Sequence, residues 1–380
     1  MSNTGSKLIA IFALLLATYS PSAAQSGRPT PSPTPRSDDQ DPVRVFTEEV
    51  RLPVIAVNQY GHYDPTLEID DVLVLEYGVA QQNRSIRHIP ASVLVLIDTG
   101  NPMALKDMNT TREIANRLVN SLSDGSRLAV VKFSEKPEIV QHWTADKTAV
   151  KKVLRTKLNS GKRSVLSDAL ALAITQFRDT PHGSRHVVLI TDGGDSAGRT
   201  SFTEATRQLS AVQAVLHVIS NGTQSLSEIA RRSKVGREGD GVQRDGHPGS
   251  NPVANGDPTL PPGTTRTPSF RLLTVNLDRA MQRRLKDHAE AIKAGEQRLK
   301  VLAEESGGQV WRSESREDLI SQGHLVARDI GAEYVVTYRP RRPLASSRKG
   351  EYRRVEVAPR RTGLTLRSRR GYTIASDPNQ

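Results

Sequence analysis

Ser92-Val93-Leu94-Val95-Leu96-Ile97-Asp98-Thr99-Gly100 is an unbroken apolar run that stops at an acid and a small-residue turn. An alternating pattern would mark a strand wetted on one face, whereas a continuous run marks one covered on both. The pattern recurs in His186-Val187-Val188-Leu189-Ile190-Thr191-Asp192-Gly193-Gly194. Residues 128–133 and 214–219 read as two more buried strands, and 138–143 and 309–312 as shorter strands at the sheet edges. Between the runs, Ile114, Leu118 and Leu122 repeat at helical spacing, as do Leu166, Leu170, Ile174 and Phe177. A long helix is expected at about 277–305, with Leu285, Ala289, Ile292, Leu299 and Leu302 on its apolar side, and another at about 316–330. Alternating strands and helices imply an α/β fold over residues 90–330: a doubly wound, mostly parallel, Rossmann-like sheet with right-handed crossovers. Gly, Pro, Asn, Asp and Arg dominate 221–269, which reads as a disordered surface insertion.

The flanks have a different grammar. Lys7 precedes a ten-residue apolar run at 8–17, and Ser22-Ala23-Ala24 offers the small residues that a signal peptidase reads. Residues 1–24 are therefore expected to be a cleaved signal peptide, sending the chain to the periplasm or outside a bacterial cell. No later segment approaches 18 consecutive apolar residues, so no transmembrane anchor is expected. Residues 25–42, including Pro29-Thr30-Pro31-Ser32-Pro33-Thr34-Pro35, cannot bury a core and read as a disordered spacer. Short β-type runs fill 43–89 and return in 331–374. Each set has too few strands to stand alone, so the two are expected to pair into one smaller β-rich module.

Composition narrows the chemistry. The 380-residue chain has no cysteine, which excludes disulfides, thiolate metal sites and a catalytic thiol. Its net charge is +12, and residues 339–370 hold twelve Arg and Lys against two acids. Arg353, Arg354, Arg360, Arg361, Arg367 and Arg369 would line a basic sheet able to bind an anionic envelope polymer, which export favours over nucleic acid. No Walker-type loop or dinucleotide fingerprint occurs.

In open α/β sheets ligands sit outside the carboxyl ends of the strands. Asp98 and Asp192 stand there, with Ser164-Val165-Leu166-Ser167-Asp168-Ala169-Leu170 opening a helix between them in sequence. With these residues the chain resembles the von Willebrand factor A domain. Segments 43–54, 74–81, 302–308 and 334–340 and the Arg369-Arg370-Gly371-Tyr372 motif look like those of the VWFA-related proteins common in Acidobacteria. The resemblance implies a non-catalytic module for protein binding, adhesion or envelope scaffolding. It also implies a metal-ion-dependent adhesion site for magnesium or manganese, carried by Asp98, Ser164 and Asp192.

The first-loop serines of that family fall on Gly100 and Pro102, which have no hydroxyl, so the site reads as degenerate. Two carboxylates without a cation repel each other. Lys162 or Arg163 is expected to reach over and take the cation's place. A hydrolase is the remaining alternative, because Gly194-Asp195-Ser196-Ala197-Gly198 resembles the nucleophile loop of chymotrypsin-like proteases. That chemistry needs a paired histidine and a buried acid, and the surroundings here read instead as a strand-to-helix turn.

Overall fold

The computed structural model describes residues 49–100, 107–177, 180, 184–196, 199–234, 279–348 and 350–374. The signal-peptide and spacer expectations and the 235–269 part of the insertion lie outside the described residues.

The described chain enters through β1 (Val50–Asn58), β2 (Val72–Glu76), β3 (Val79–Ala80) and β4 (Gln82–Arg87). It then builds a six-stranded sheet from β5 (Ala91–Asp98), β6 (Arg127–Phe133), β7 (Pro137–Thr144), β8 (Ser184–Thr191), β9 (Val215–Ser220) and β10 (Val310–Arg312). The spatial order is β10-β9-β8-β5-β6-β7, parallel throughout except for β7 at the edge. Every residue of β5, β8 and β9 is buried, as the continuous runs require.

Among the described residues, α1 (Met108–Ser121), α2 (Lys147–Thr156), α3 (Leu166–Gln176), α4 (Phe202–Ala211), α6 (Arg279–Ser306) and α7 (Arg316–Gly331) flank this sheet, and α5 (Gly222–Lys234) packs on α6. Pleating divides β5 between two cores. Val93, Val95 and Ile97 pack with Ile114, Leu118, Leu319 and Val326 on one side. Leu94 and Leu96 pack with Leu166, Leu170 and Leu299 on the other. Each such side chain contributes about 2 kcal/mol by leaving water. Polar caps set where helices begin: Asp107 accepts from the Asn109 amide at α1, and Ser315 from the Asp318 amide at α7.

One boundary needs correction. Residues 222–234, expected to belong to the disordered insertion, form α5. Ile229 of α5 packs against Leu285 and Ile292 of α6, with Leu226, Met281 and Ala289 around them. The polar composition of 221–269 hid this short amphipathic stripe.

After α7 the chain returns through β11 (Glu333–Arg339), β12 (Tyr352–Pro359), β13 (Leu364–Ser368) and β14 (Gly371–Thr373). These interleave with the first four strands in two antiparallel sheets, β13-β1-β11-β4 and β14-β12-β2-β3. Leu52 lies opposite Val336, Val54 opposite Ser368, and Val355 opposite Glu76. Their core contains Leu52, Val54, Val336, Tyr338, Val355 and Tyr372. The first and last described strands thus make one β module, and the larger α/β domain is inserted between them in sequence.

Candidate functional site

Parallel pairing of β5 with β8 brings Ile97 beside Ile190, so the residues that follow emerge side by side at the carboxyl end of the sheet. Asp98 and Asp192 are both 1% exposed there. Asp98 Oδ1 accepts from the Ser164 hydroxyl at 2.7 Å and the Gly100 amide at 2.9 Å, and Oδ2 from the Thr191 hydroxyl at 2.7 Å. Asp192 Oδ1 accepts from the Gly194 amide at 3.0 Å, and Oδ2 stands 3.5 Å from the Ser225 hydroxyl. Both buried carboxylates, for which Lys162 or Arg163 is the expected counter-charge, thus accept hydrogen bonds from hydroxyls and amides. Thr191 and Ser225 belong to the site, and neither was singled out from sequence.

The loop before α3 closes down on this pair. The Gly161 amide donates to the Thr99 carbonyl at 2.9 Å, and Gly161 and Gly100 form a parallel bridge. Glu135 takes the Lys162 amide at 2.6 Å. That bond, with the Ser134 hydroxyl, holds the Glu135 carboxyl down to about 2. The Lys162 and Arg163 side chains are exposed on the rim, while the Arg163 carbonyl packs inward. A Cβ at position 100 would lie 2.0 Å from that carbonyl and 2.2 Å from Ser164 Oγ. The space where the family's first serine would place its side chain is occupied by backbone.

This bears directly on the metal. A hard divalent cation needs about six oxygen ligands. Position 100 supplies no hydroxyl and has no room for one, and Pro102, outside the described residues, has none. Among the described residues no group of three or more His, Asp or Glu side chains converges in metal-binding geometry. Position 100, a hydroxyl position in the family, thus offers no ligand to a magnesium or manganese ion.

Neighbouring turns are structural. Asp195 accepts from the Leu166 amide at 2.9 Å and the Ser167 hydroxyl at 2.7 Å, pinning the start of α3. The Ser196 amide donates to the Ser164 carbonyl at 2.6 Å. The acid of the protease-like Gly-Asp-Ser run is thus committed to a helix start. Across the site, α6 braces the Asp192 turn: Gly193 has φ +86°, and a Cβ on Gly295 would sit 1.7 Å from its carbonyl oxygen. Two glycines let helix and turn meet backbone to backbone. Glu296, next to that contact, accepts the Ser220 hydroxyl.

The six arginines do not line one surface. Arg353 is fully buried, donating to Glu76 at 2.8 Å, and Arg369 is 4% exposed against the Arg51 carbonyl and Gln213. Burial lowers Arg369 to about 10. Arg361 pairs with Asp64 and, at 3.4 Å, with Asp71, and Arg367 pairs with Asp329. Arg354 is exposed and pairs with Glu356 at 2.6 Å, and Arg360 is exposed. The expected basic sheet is largely an internal set of ion pairs, because the acids that meet these arginines lie mostly outside 339–370.

A parallel sheet whose strand ends carry two buried acids beside the start of α3 defines a Rossmann-like domain with its ligand face at the strand carboxyl ends. Within that class, the sequence model of the von Willebrand factor type A domain matches residues 92–238, and this part of the chain is such a domain. The chain is similar to an aerotolerance-related membrane protein from Bacteroides fragilis, at 16% identity over 63% of this chain and 98% of that one, with TM-score 0.37. It is also similar to a von Willebrand factor type A structure from Catenulispora acidiphila, at 12% identity, 88% and 76% coverage, and TM-score 0.39. A mutant of the PilB minor pilin from Streptococcus sanguinis shows 12% identity, 65% and 62% coverage, and TM-score 0.38. No curated protein matches the sequence. Among the described residues no helix is long and apolar enough to cross a membrane.

Proposed function

We propose that this chain is an exported, non-catalytic binding or scaffold module whose A domain engages a protein partner at the carboxyl-end face without a metal ion. The packing at Gly100 carries the reading: the loop backbone fills the place of a metal-ligating side chain, and Ser164 and Thr191 hydroxyls donate to Asp98. The leader-like 1–24 segment supports export, and the exposed Lys162 beside the site favours a partner with an acidic surface. Calorimetry of the chelator-treated protein with magnesium and manganese tests the metal-free half of the proposal. No heat and no thermal shift at millimolar metal is expected. Micromolar binding that disappears in Asp192→Ala would overturn it.

A further inference from the structure

The arginines of 339–370 largely turn inward, and a denser run of cations stays open on the other side of the chain. Between Lys147 and Arg163 the sequence carries seven Lys and Arg and no acid. Helix α2 and the loop after it hold this run. Val150 and Leu154 bury the inner face of α2 in the core that contains Ile114 and Leu118. Outward, Lys152, Arg155 and Lys157 are exposed and Lys151 is half-buried. Among the described residues, none of these four side chains forms an ion pair.

The acids around them are already engaged. Asp146 caps α2 by accepting from the Thr148 and Ala149 amides. Asp124 pairs with Lys147 at 3.0 Å, and Glu138 with Lys132 at 3.3 Å. Glu135 is taken by the Lys162 amide.

The stripe leads to the ligand face. Helix α2 follows β7, the antiparallel edge strand, and so runs back towards the carboxyl end of the sheet. Its end is fixed there: Lys132, next to last in β6, donates to the Lys157 carbonyl at 3.1 Å, and Arg112 of α1 to the Leu158 carbonyl at 2.7 Å. The loop then reaches Thr99 through the Gly161 amide and continues to Ser164.

The fold accounts for only part of this charge. A helix carboxyl terminus favours cations, which covers Arg155 and Lys157. It does not cover Lys151 and Lys152 in mid-helix. Lys151 also stands four residues from both Lys147 and Arg155, a spacing at which like charges repel. Residues 147–163 contain no aromatic side chain on which a base could stack. An ammonium is a compact point charge without the planar fork of arginine, so the stripe reads the density of negative charge.

We infer that α2 is a docking surface for an acidic segment of the protein partner, an extended stretch with Asp or Glu at alternate positions lying along Lys151, Lys152, Arg155 and Lys157. The inference rests on the reading of the adjoining face as the partner's, and that continuity selects a polypeptide over an anionic polymer. Spacing agrees with it: side chains four apart on a helix are about 6 Å apart, and alternate residues of a strand recur about every 6.6 Å. Recognition of this kind speeds encounter and fixes the direction in which the partner arrives at the face.

The test is fluorescence anisotropy of a labelled peptide of alternating Glu and Ser with the chelator-treated full chain. Micromolar binding that weakens steeply with salt is expected. Changing Lys151, Lys152, Arg155 and Lys157 together to Gln should weaken it about tenfold or more, whereas the same loss of charge at Arg279, Arg283, Arg284 and Lys286 of α6 should weaken it less than about threefold. Removing charges that repel one another leaves α2 folded. Equal losses in the two variants overturn the inference, as does an α2 variant that binds like wild type. An oligothymidylate of equal charge that binds more tightly than the peptide also overturns it. Lys162→Gln reads the face separately: if it binds like wild type while the α2 variant is weakened, the docking surface stands and the reading of the face falls.

Discussion

Two pairs of carboxylates are buried at opposite ends of the central sheet, and they are compensated by different chemistry. At the carboxyl end, Asp98 and Asp192 take hydrogens from Ser164, Thr191 and the amides of Gly100 and Gly194. Towards the amino ends of β8 and β9, Glu333 and Asp329 face imidazoles, a phenol and a guanidinium. Towards a carboxylate, hydroxyls and amides act as donors without a change of charge, whereas an imidazole nitrogen serves as donor or acceptor according to the tautomer. The carboxyl end is thus held by hydroxyls and amides, and the seam between the modules by rings that can take either role.

The sharpest way to break the comparison is to force the carboxyl end towards a metal site. Gly100→Ser drives a Cβ into the Arg163 carbonyl and should cost about 4 kcal/mol, with no gain in magnesium affinity. Urea unfolding and calorimetry read the two parts separately. If the variant folds as well as wild type and binds metal, the loop is free to open and the metal-free reading is lost. Next in size, Asp98→Ala leaves the Ser164 and Thr191 hydroxyls without their buried acceptor, an expected loss of about 3 kcal/mol that should be the same at pH 6 and pH 8. At the other end, Tyr63→Phe removes one neutral donor to Asp329 and should cost about 1 kcal/mol in urea unfolding. The smallest effect belongs outside both ends. Arg354→Ala breaks only an exposed pair with Glu356 and should change stability by less than about 0.5 kcal/mol.

The central sheet was legible because its strands are buried on both faces, so their apolar runs are continuous and their ends fall at Asp98 and Asp192. Ser164 could be placed by its position ahead of the Ala169-Leu170 helix. Thr191 was overlooked because it looks like the last residue of a strand, and Ser225 because it sits in a segment whose composition resembles a loop. The occupied space at Gly100 was invisible for a different reason. It depends on where the backbone of 161–164 passes, which no local pattern encodes. The histidines at the seam escaped notice because His186 and His217 each appear as one polar interruption of an apolar run. Glu333, which meets the first of them through Ser184, is 149 residues from that serine. The arginine density in 339–370 misled in the opposite direction. Charge counted within a window ignores Glu76, Asp64, Asp71 and Asp329, which arrive from elsewhere in the chain and draw the guanidiniums inward.

The pairing of β1 with β11 and β13 has a consequence for how the molecule is made. Residue 54 finds its partners at 334 and 368, so the first strand emerges long before the strands it needs. Closing so long a loop in a disordered chain is entropically slow. The inserted domain, with its own cores, can fold first and bring its entry at β5 and its exit after α7 to fixed positions. The outer module then closes a short gap rather than a long one. The connectivity favours an order of assembly, guest before host, and damage to the guest should then appear first as a host that never forms.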